Sequence, residues 1–205
     1  PGIILENCAS GGHRLEPCMM RICSMASFSD AHECREIPII AANLHRVILP
    51  SQSQIWAVIR REDSLKRIAY SIINTFLGRM CLSGDVTNLE KAQWKVIEDG
   101  MAFYRKIVPI IKDGYTSWYG PKVSSYRNPK GWQGILRQGD NGDAYALFHI
   151  FDGIPADKCV IELPKEYEVA EIYSDTNETV VLTDGKLIYE PKEDWKAVAV
   201  YLKSK

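Results

Sequence analysis

The chain has 205 residues, of which 46% are apolar and 25% are charged, and its formal net charge is −1. This length allows one or two domains with a substantial hydrophobic core. The near-zero charge argues against a general attraction to nucleic acid or to an anionic membrane, and no apolar run approaches the length of a membrane span.

Short apolar runs alternate with helical periodicity over the first 112 residues. The pattern predicts strands over residues 3–5, 26–29, 48–50 with 55–58, and 80–82, and helices over residues 17–25, 33–47, 65–76 and 87–111. Thr87 and Glu90 fit a capping box at the start of the last helix, with Thr87 as the N-cap. Four strand–helix units in succession predict a parallel sheet with helices outside, which is half of a (β/α)8 barrel of the TIM type.

The pattern changes near residue 112, where helical periodicity gives way to short β-rich runs. Seven strands are predicted, over residues 132–137, 144–151, 160–163, 169–173, 179–183, 187–189 and 197–202. Turn residues separate them at 139–142, 175–177 and 184–186, and residues 115–130 form the connection. We therefore expect two domains, residues 1–112 with about four βα units and residues 113–205 as an antiparallel β-sandwich.

The cysteines and histidines give little sign of a metal or a disulfide framework. The six cysteines contain no Cys-x-x-Cys pair and are expected to be reduced and mostly buried, and the four histidines lack metal-ligand spacing. No cofactor is expected. The chain starts inside a predicted strand without an initiator Met, which suggests the C-terminal piece of a longer protein. The compartment is left open, with the cytoplasm slightly favoured.

Two polar segments follow the first two predicted strands, ENCASGGHRLEP at residues 6–17 and SFSDAHE at residues 27–33. In a parallel barrel the catalytic groups lie where strands end and loops begin. Gly11 and Gly12 would let a ligand approach the backbone, although two glycines can equally form a simple turn. Asp30 is either a catalytic carboxylate or the N-cap of the next helix, because Asp30 and Glu33 have capping-box spacing.

Together these segments resemble the retaining α-galactosidases of glycoside hydrolase family 36. Members of that family carry Glu-x-Cys-x-x-Gly-Gly-x-Arg-x-(Asp/Glu) after one barrel strand and Ser-Asp after the next. The matching positions here are Glu6, Cys8, Gly11, Gly12, Arg14 and Glu16, followed by Ser29 and Asp30. Arg35 after the acid and Trp132 at the start of a later strand also fit the family pattern.

The resemblance implies the C-terminal half of a catalytic barrel followed by a β-sandwich, acting on terminal α-galactosides by double displacement. Asp30 would be the general acid/base, and Cys8, Gly11, Gly12 and Arg14 would bind a galactose-like sugar. A retaining glycosidase needs one carboxylic acid to protonate the leaving oxygen and a second carboxylate to form the glycosyl-enzyme.

The chain also departs from the family pattern. The family nucleophile is an Asp in a Lys-x-Asp motif on an earlier strand, and no equivalent occurs here. The residues after the acid read Ala31-His32-Glu33 where the family has Asp-Thr-Asp, and residues 49–54 lack the family's His. The isolated chain is therefore expected to be inactive.

Other functions remain open at this point. They are an α-N-acetylgalactosaminidase, a galactosyl-transferring enzyme like raffinose synthase, and a non-catalytic carbohydrate-binding module. The expected partner is an α-galactoside oligosaccharide, with no nucleic acid and no membrane. Self-association is expected because a half barrel leaves apolar surface and strand edges uncovered, and the full-length enzyme is expected to be a homo-oligomer. Trp56 is predicted to be core or interface, whereas Trp118 and Tyr119 could contact carbohydrate.

Overall fold

The computed structural model describes residues 2–8 and 11–205. In the first part of the described chain, strands and helices alternate as β1 (Glu6–Asn7), α1 (Pro17–Met20), β2 (Met25–Ser27), α2 (Ile37–Leu44), β3 (Ser53–Ile59), α3 (Leu65–Thr75), β4 (Arg79–Gly84) and α4 (Lys91–Asp113). Short 3-10 turns occur at Pro50–Gln52 and Val86–Asn88. The strands β1 to β4 form one sheet in sequence order, and each neighbouring pair is parallel.

The two faces of this parallel sheet differ. Ile55, Ala57 and Ile59 of β3 are fully buried in one hydrophobic cluster with the residues of α3 and α4. Successive side chains of a strand point to opposite faces, so Gln54 and Trp56 lie on the other face. Within residues 2–8 and 11–205, the helices therefore pack against one side of the sheet, as in an α/β protein that is open on its second face.

The two longest helices, α3 and α4, begin where local side chains satisfy free backbone N–H groups. Ser64 caps α3, and its Oγ accepts from the backbone N–H of Arg67 at 3.2 Å. The N-cap of α4 is Glu90, paired with Gln93 in a capping box, so the prediction of Thr87 as N-cap was wrong. Thr87 instead donates to Asp85 within the preceding 3-10 turn. In the described part of the chain, none of the helices combines the length and apolarity needed to cross a membrane.

The rest of the chain is antiparallel. Its strands are β5 (Gly114–Tyr119), β6 (Trp132–Gly139), β7 (Ala144–Ile150), β8 (Cys159–Glu162), β9 (Tyr167–Tyr173), β10 (Val180–Thr183), β11 (Lys186–Tyr189) and β12 (Ala197–Ser204). One sheet has the order β5-β6-β7-β12-β9, and a smaller sheet has the order β10-β11-β8. The mixed α/β part followed by antiparallel sheets agrees with the predicted fold class at this level.

The five-stranded sheet is buried on both faces. Ile135, Tyr145 and Leu147 join the hydrophobic cluster formed by α3, α4 and the parallel sheet. Their neighbours Leu136 and Phe148 belong to a second cluster, which contains residues of the smaller sheet. Strand alternation thus divides β6, β7, β9 and β12 between two cores. The larger sheet connects the helical layer to the smaller sheet.

Three predictions about strands were wrong. The first strand is Glu6–Asn7, whereas Ile3 and Ile4 are 80% and 73% exposed and carry no strand structure. Residues 48–50 are not a strand, because Pro50 begins a 3-10 turn there. Residues 114–119 form a strand, although residues 115–130 were predicted to be a connection. Trp118 and Tyr119 therefore lie on β5 and not in a loop.

Candidate functional site

The loops after β1 and β2 lie side by side at the carboxyl edge of the parallel sheet. The N–H of Gly12 donates to the carbonyl of Ser27 at 3.1 Å. A Cβ atom added to Gly11 would lie 2.3 Å from the backbone nitrogen of Asp30 and 2.9 Å from its Cγ. The structure therefore places the paired glycines against the predicted catalytic aspartate.

Both glycines are required by the backbone. Gly11 and Gly12 have φ angles of +58° and +86°, in the left-handed region that side chains rarely adopt. A Cβ on Gly12 would lie 2.4 Å from the carbonyl oxygen of Phe28. The contact between the two loops thus accounts for the glycine pair, and sugar contact at this pair remains a prediction.

Asp30 is exposed and its carboxylate has no hydrogen bond or ion pair with any described residue. The alternative role as an N-cap is wrong, because α2 begins at Ile37 with Glu36 in the cap position. The turn around Asp30 is held instead by Ser29, whose Oγ accepts from the N–H of Ala31 at 3.0 Å. Its carboxylate is therefore free to meet a ligand.

Cys8 is exposed at the end of β1, and its Sγ donates to Oε1 of Glu6 at 3.0 Å. This hydrogen bond to a carboxylate raises the pKa of the Cys8 thiol. The Glu6 charge also reaches Cys81 on β4, although burial is the main reason why the pKa of Cys81 is raised. Both thiols are therefore held in the protonated form, so Cys8 fits a small neutral wall better than a nucleophile.

Arg14 lies on the same loop with an exposed side chain. Its φ angle is 61°, and its carbonyl accepts from Nδ2 of the buried Asn7 at 2.7 Å. This bond ties the end of the first loop to β1. The guanidinium has no ion-pair partner among the described residues. Sugar binding by Arg14 remains a prediction.

Trp56 and His32 form a stacked pair that the sequence did not predict. Their rings lie 5.5 Å apart at 29°, and the Trp56 indole donates to Gln54 at 3.1 Å. His32 is two residues after Asp30, so the pair fixes the Asp30 loop on the open face of the sheet. Strand alternation could have placed Trp56 on this face, opposite Ile55 and Ala57, but nothing local links it to His32.

The chain was compared with known proteins at the level of sequence and of structure. No protein-family model matches the chain, and no curated protein matches its sequence. Among solved structures, a variant of the GH36 α-galactosidase AgaA from Geobacillus stearothermophilus, in complex with raffinose, has a TM-score of 0.77 and 16% identity. The similarity covers 99% of this chain and 29% of that chain.

Two other solved structures have a similar fold. The α-galactosidase of Lactobacillus brevis has a TM-score of 0.73 and 16% identity, over 98% of this chain and 29% of that chain. An Anoxybacillus α-amylase has a TM-score of 0.60 and 12% identity, over 98% of this chain and 52% of that chain. The chain thus spans about three tenths of the length of the α-galactosidases it matches. Its fold is that of part of a family 36 α-galactosidase, which confirms the resemblance at the level of fold.

Proposed function

We propose that this chain carries the acid/base side of the active site of a retaining α-galactosidase that acts on terminal α-galactosides of oligosaccharides. The observation that carries the proposal is the contact of Gly11 with Asp30, which unites both sequence motifs at one edge of the sheet. The shared fold supports it, since AgaA variants have been solved with raffinose and with stachyose.

In this proposal β1 to β4 are half of a (β/α)8 barrel, and residues 113–205 form a C-terminal β-sandwich domain. The parallel strand order and the single helical layer support the barrel, as does the 29% share of AgaA that the chain covers. The open face carrying Gln54 and Trp56 would then face the interior of the complete barrel.

The proposed mechanism is double displacement. Asp30 protonates the glycosidic oxygen of the leaving group and then removes a proton from the attacking water. The nucleophilic carboxylate, about 5–5.5 Å away, comes from a strand outside these residues. Cys8, Gly11 and Gly12 form small uncharged walls close to the sugar ring, and Arg14 donates hydrogen bonds to its hydroxyl groups.

The test is hydrolysis of an aryl α-galactoside by the product of the complete open reading frame that encodes this chain. Asp30→Asn is expected to lower kcat by about 10²- to 10⁴-fold, because proton transfer to the leaving group is lost. Asp140→Asn, a change in the exposed turn between β6 and β7, serves as the control and should leave kcat unchanged. Equal activity of the Asp30→Asn and Asp140→Asn proteins would contradict the role of Asp30.

The 205-residue chain by itself is expected to show no turnover of the same substrate, because it lacks the second carboxylate. The measurement is release of the aryl group at high enzyme concentration. Turnover that is abolished by Asp30→Asn would show that a carboxylate within the chain, such as Glu6 or Glu16, acts as the nucleophile.

A further inference from the structure

A small cavity lies between the loop after β2, the first turns of α3 and the segment that precedes β12. Its volume is about 250 Å³, and its lining includes Arg35, Ser64, Tyr70, Asp194 and Trp195. This volume is slightly smaller than that of typical ligand-binding pockets, which start at about 300 Å³. It suits a single sugar-sized ring better than an oligosaccharide.

Two of the cations in the lining are already neutralised. Lys66 pairs with Glu193 at 2.5 Å, and Arg67 pairs with Asp63 at 2.8 Å. Arg67 also contacts the Cys34 thiol in the cavity wall at 3.3 Å. Lys66, Arg67 and Cys34 therefore form part of the cavity wall, and the two cations are paired with carboxylates and do not attract a charged ligand.

Arg35 and Asp194 remain unpaired. Neither side chain has an ion pair or a side-chain hydrogen bond within the described parts of the chain. One free cation and one free carboxylate give the cavity both donors and acceptors with no net charge. A simple anion would engage only Arg35 and a simple cation only Asp194, whereas a ligand with both donors and acceptors can engage both side chains.

Tyr70 and Trp195 add unused polar groups and apolar surface. Tyr70 is 2% exposed, and its hydroxyl is buried without a hydrogen-bond partner among the described residues. Trp195 has a φ angle of 47°, which is costly for a residue other than glycine. The guanidinium of Arg35 lies 4.9 Å from the centre of its ring, so the arginine and the indole form one wall.

We propose that this cavity binds a single uncharged sugar ring. Hydroxyl groups can accept from the Arg35 guanidinium and donate to the Asp194 carboxylate, while the C–H surface of the ring packs against the part of the Trp195 indole that Arg35 leaves uncovered. The loop after β2 supplies both Asp30 and Arg35, so the cavity is a second carbohydrate site near the same edge of the sheet. It does not depend on the proposed hydrolytic function.

The test is a titration of the 205-residue chain with galactose and with glucose, followed by the indole N–H signal of Trp195 in NMR spectra. We expect saturable shifts with a Kd on the order of 1 mM, as is typical of a small ligand held by a few hydrogen bonds. Arg35→Met and Asp194→Ala should each weaken binding by about fivefold to tenfold, the effect of one lost hydrogen bond.

Asp140→Asn is the matched control and should leave this titration unchanged. Sugar binding that is lost in Asp30→Asn and retained in Arg35→Met and Asp194→Ala would overturn the second site while supporting the first. The absence of saturable sugar binding would also overturn it, as would a preference for alanine or inorganic phosphate over both sugars. The proposed hydrolysis is judged separately, by the turnover of the complete enzyme.

Discussion

At the scale of single residues, Gly11 is the position in the candidate site with the least room for a side chain. Its backbone has a positive φ angle, and the space where a side chain would begin is occupied by the backbone of Asp30. Backbone atoms cannot rotate away as the end of a flexible side chain can. The position of Asp30 therefore depends on the absence of one carbon atom in the neighbouring loop.

Gly11→Ala is expected to lower the free energy of unfolding by about 2–4 kcal/mol, the sum of left-handed backbone strain and the clash with Asp30. Urea denaturation measures the loss. Gly153→Ala is the matched control, since Gly153 has a φ angle of +82° but no atom within 4 Å of its added Cβ. A loss in Gly11→Ala no larger than in Gly153→Ala would show that the loops can separate freely.

The sequence indicates which residues of the two loops come together, but it does not indicate every contact between them. The spacing of the glycine pair and Asp30 after successive strands places both loops at one edge, and the structure shows them in contact. The capping pattern of Asp30 and Glu33 was misleading because it is purely local and α2 begins only at Ile37. The pairing of His32 with Trp56 spans two strands, so no local pattern reports it.

At the scale of secondary-structure elements, strong amphipathic periodicity correctly predicted the long helices α3 and α4. Segments without a clear hydrophobic pattern, such as β5, were predicted wrongly. The apolar residues of α3 and α4 recur at helical spacing over three or more turns, which is hard to imitate by chance. Residues 114–119 of β5 contain exposed and half-buried side chains in no clear alternation. These residues form a strand because they pair with β6, and the local sequence pattern gives no information about that pairing.

His149 on β7 makes the free energy of unfolding sensitive to acid. It is fully buried, neither ring nitrogen has a partner among the described residues, and burial lowers its pKa to about 3. An unfolded histidine has a pKa of about 6.5. Between these values the unfolded state binds more protons, so stability is complete above pH 6.5 and falls by up to about 1.4 kcal/mol per pH unit below it.

Burial also lowers the pKa of His45 to about 4, so it contributes over the upper part of the same range. His149→Phe should reduce the fall between pH 6 and about pH 4, leaving the contribution of His45, and should not lower stability at pH 7, because it removes two unpaired nitrogens. Urea denaturation at a series of pH values measures this. A slope in His149→Phe equal to that of the unmodified chain would refute the assignment.

Lys196 at the start of β12 ties together the turns that flank β10 and β11. It is 1% exposed, and its Nζ lies 2.9 Å from both Asp175 and Glu178 and 3.1 Å from Glu193. Burial opposes its charged form, but the hydrogen bonds to these carboxylates outweigh burial and raise the pKa of Lys196. The ammonium is therefore the counter-ion of three acidic groups.

Lys196→Met is expected to lower the free energy of unfolding by about 3–5 kcal/mol, because it leaves partly buried carboxylates without their cation. Thermal or urea denaturation measures the loss. Lys158→Met removes an exposed pair with Glu190 and should cost less than about 1 kcal/mol. Similar losses of unfolding free energy in Lys196→Met and Lys158→Met would show that water or other side chains can replace Lys196 as the partner of the three carboxylates.

At the scale of the whole molecule, the second face of the parallel sheet carries the half-buried side chains of Gln54 and Trp56, and no helix of the described residues packs over it. Ile3 and Ile4 are mostly exposed just before the edge strand β1, and Leu5 is 47% exposed. Such surfaces associate readily in water. Within the proposed function, the remaining strands of the barrel would cover it.

The isolated chain is therefore expected to self-associate at micromolar concentrations, as light scattering would show by a mass that rises with concentration. Ile4→Lys should weaken this association, because a charge at the edge resists burial. Ile154→Lys changes an exposed apolar residue in the loop between β7 and β8 and should not weaken it. A concentration-independent monomer would contradict the expectation.

The five-stranded sheet couples the unfolding of the two parts of the chain, because it contributes to both hydrophobic cores. Cutting the polypeptide between residues 112 and 113 would strip α3 and α4 from Ile135, Tyr145 and Leu147, and would uncover an entire face of that sheet. The C-terminal piece would keep the core between its two antiparallel sheets, but each piece would expose its half of the larger shared core. Melting is therefore expected to occur as one cooperative event, in which the helical layer and both antiparallel sheets lose their structure together.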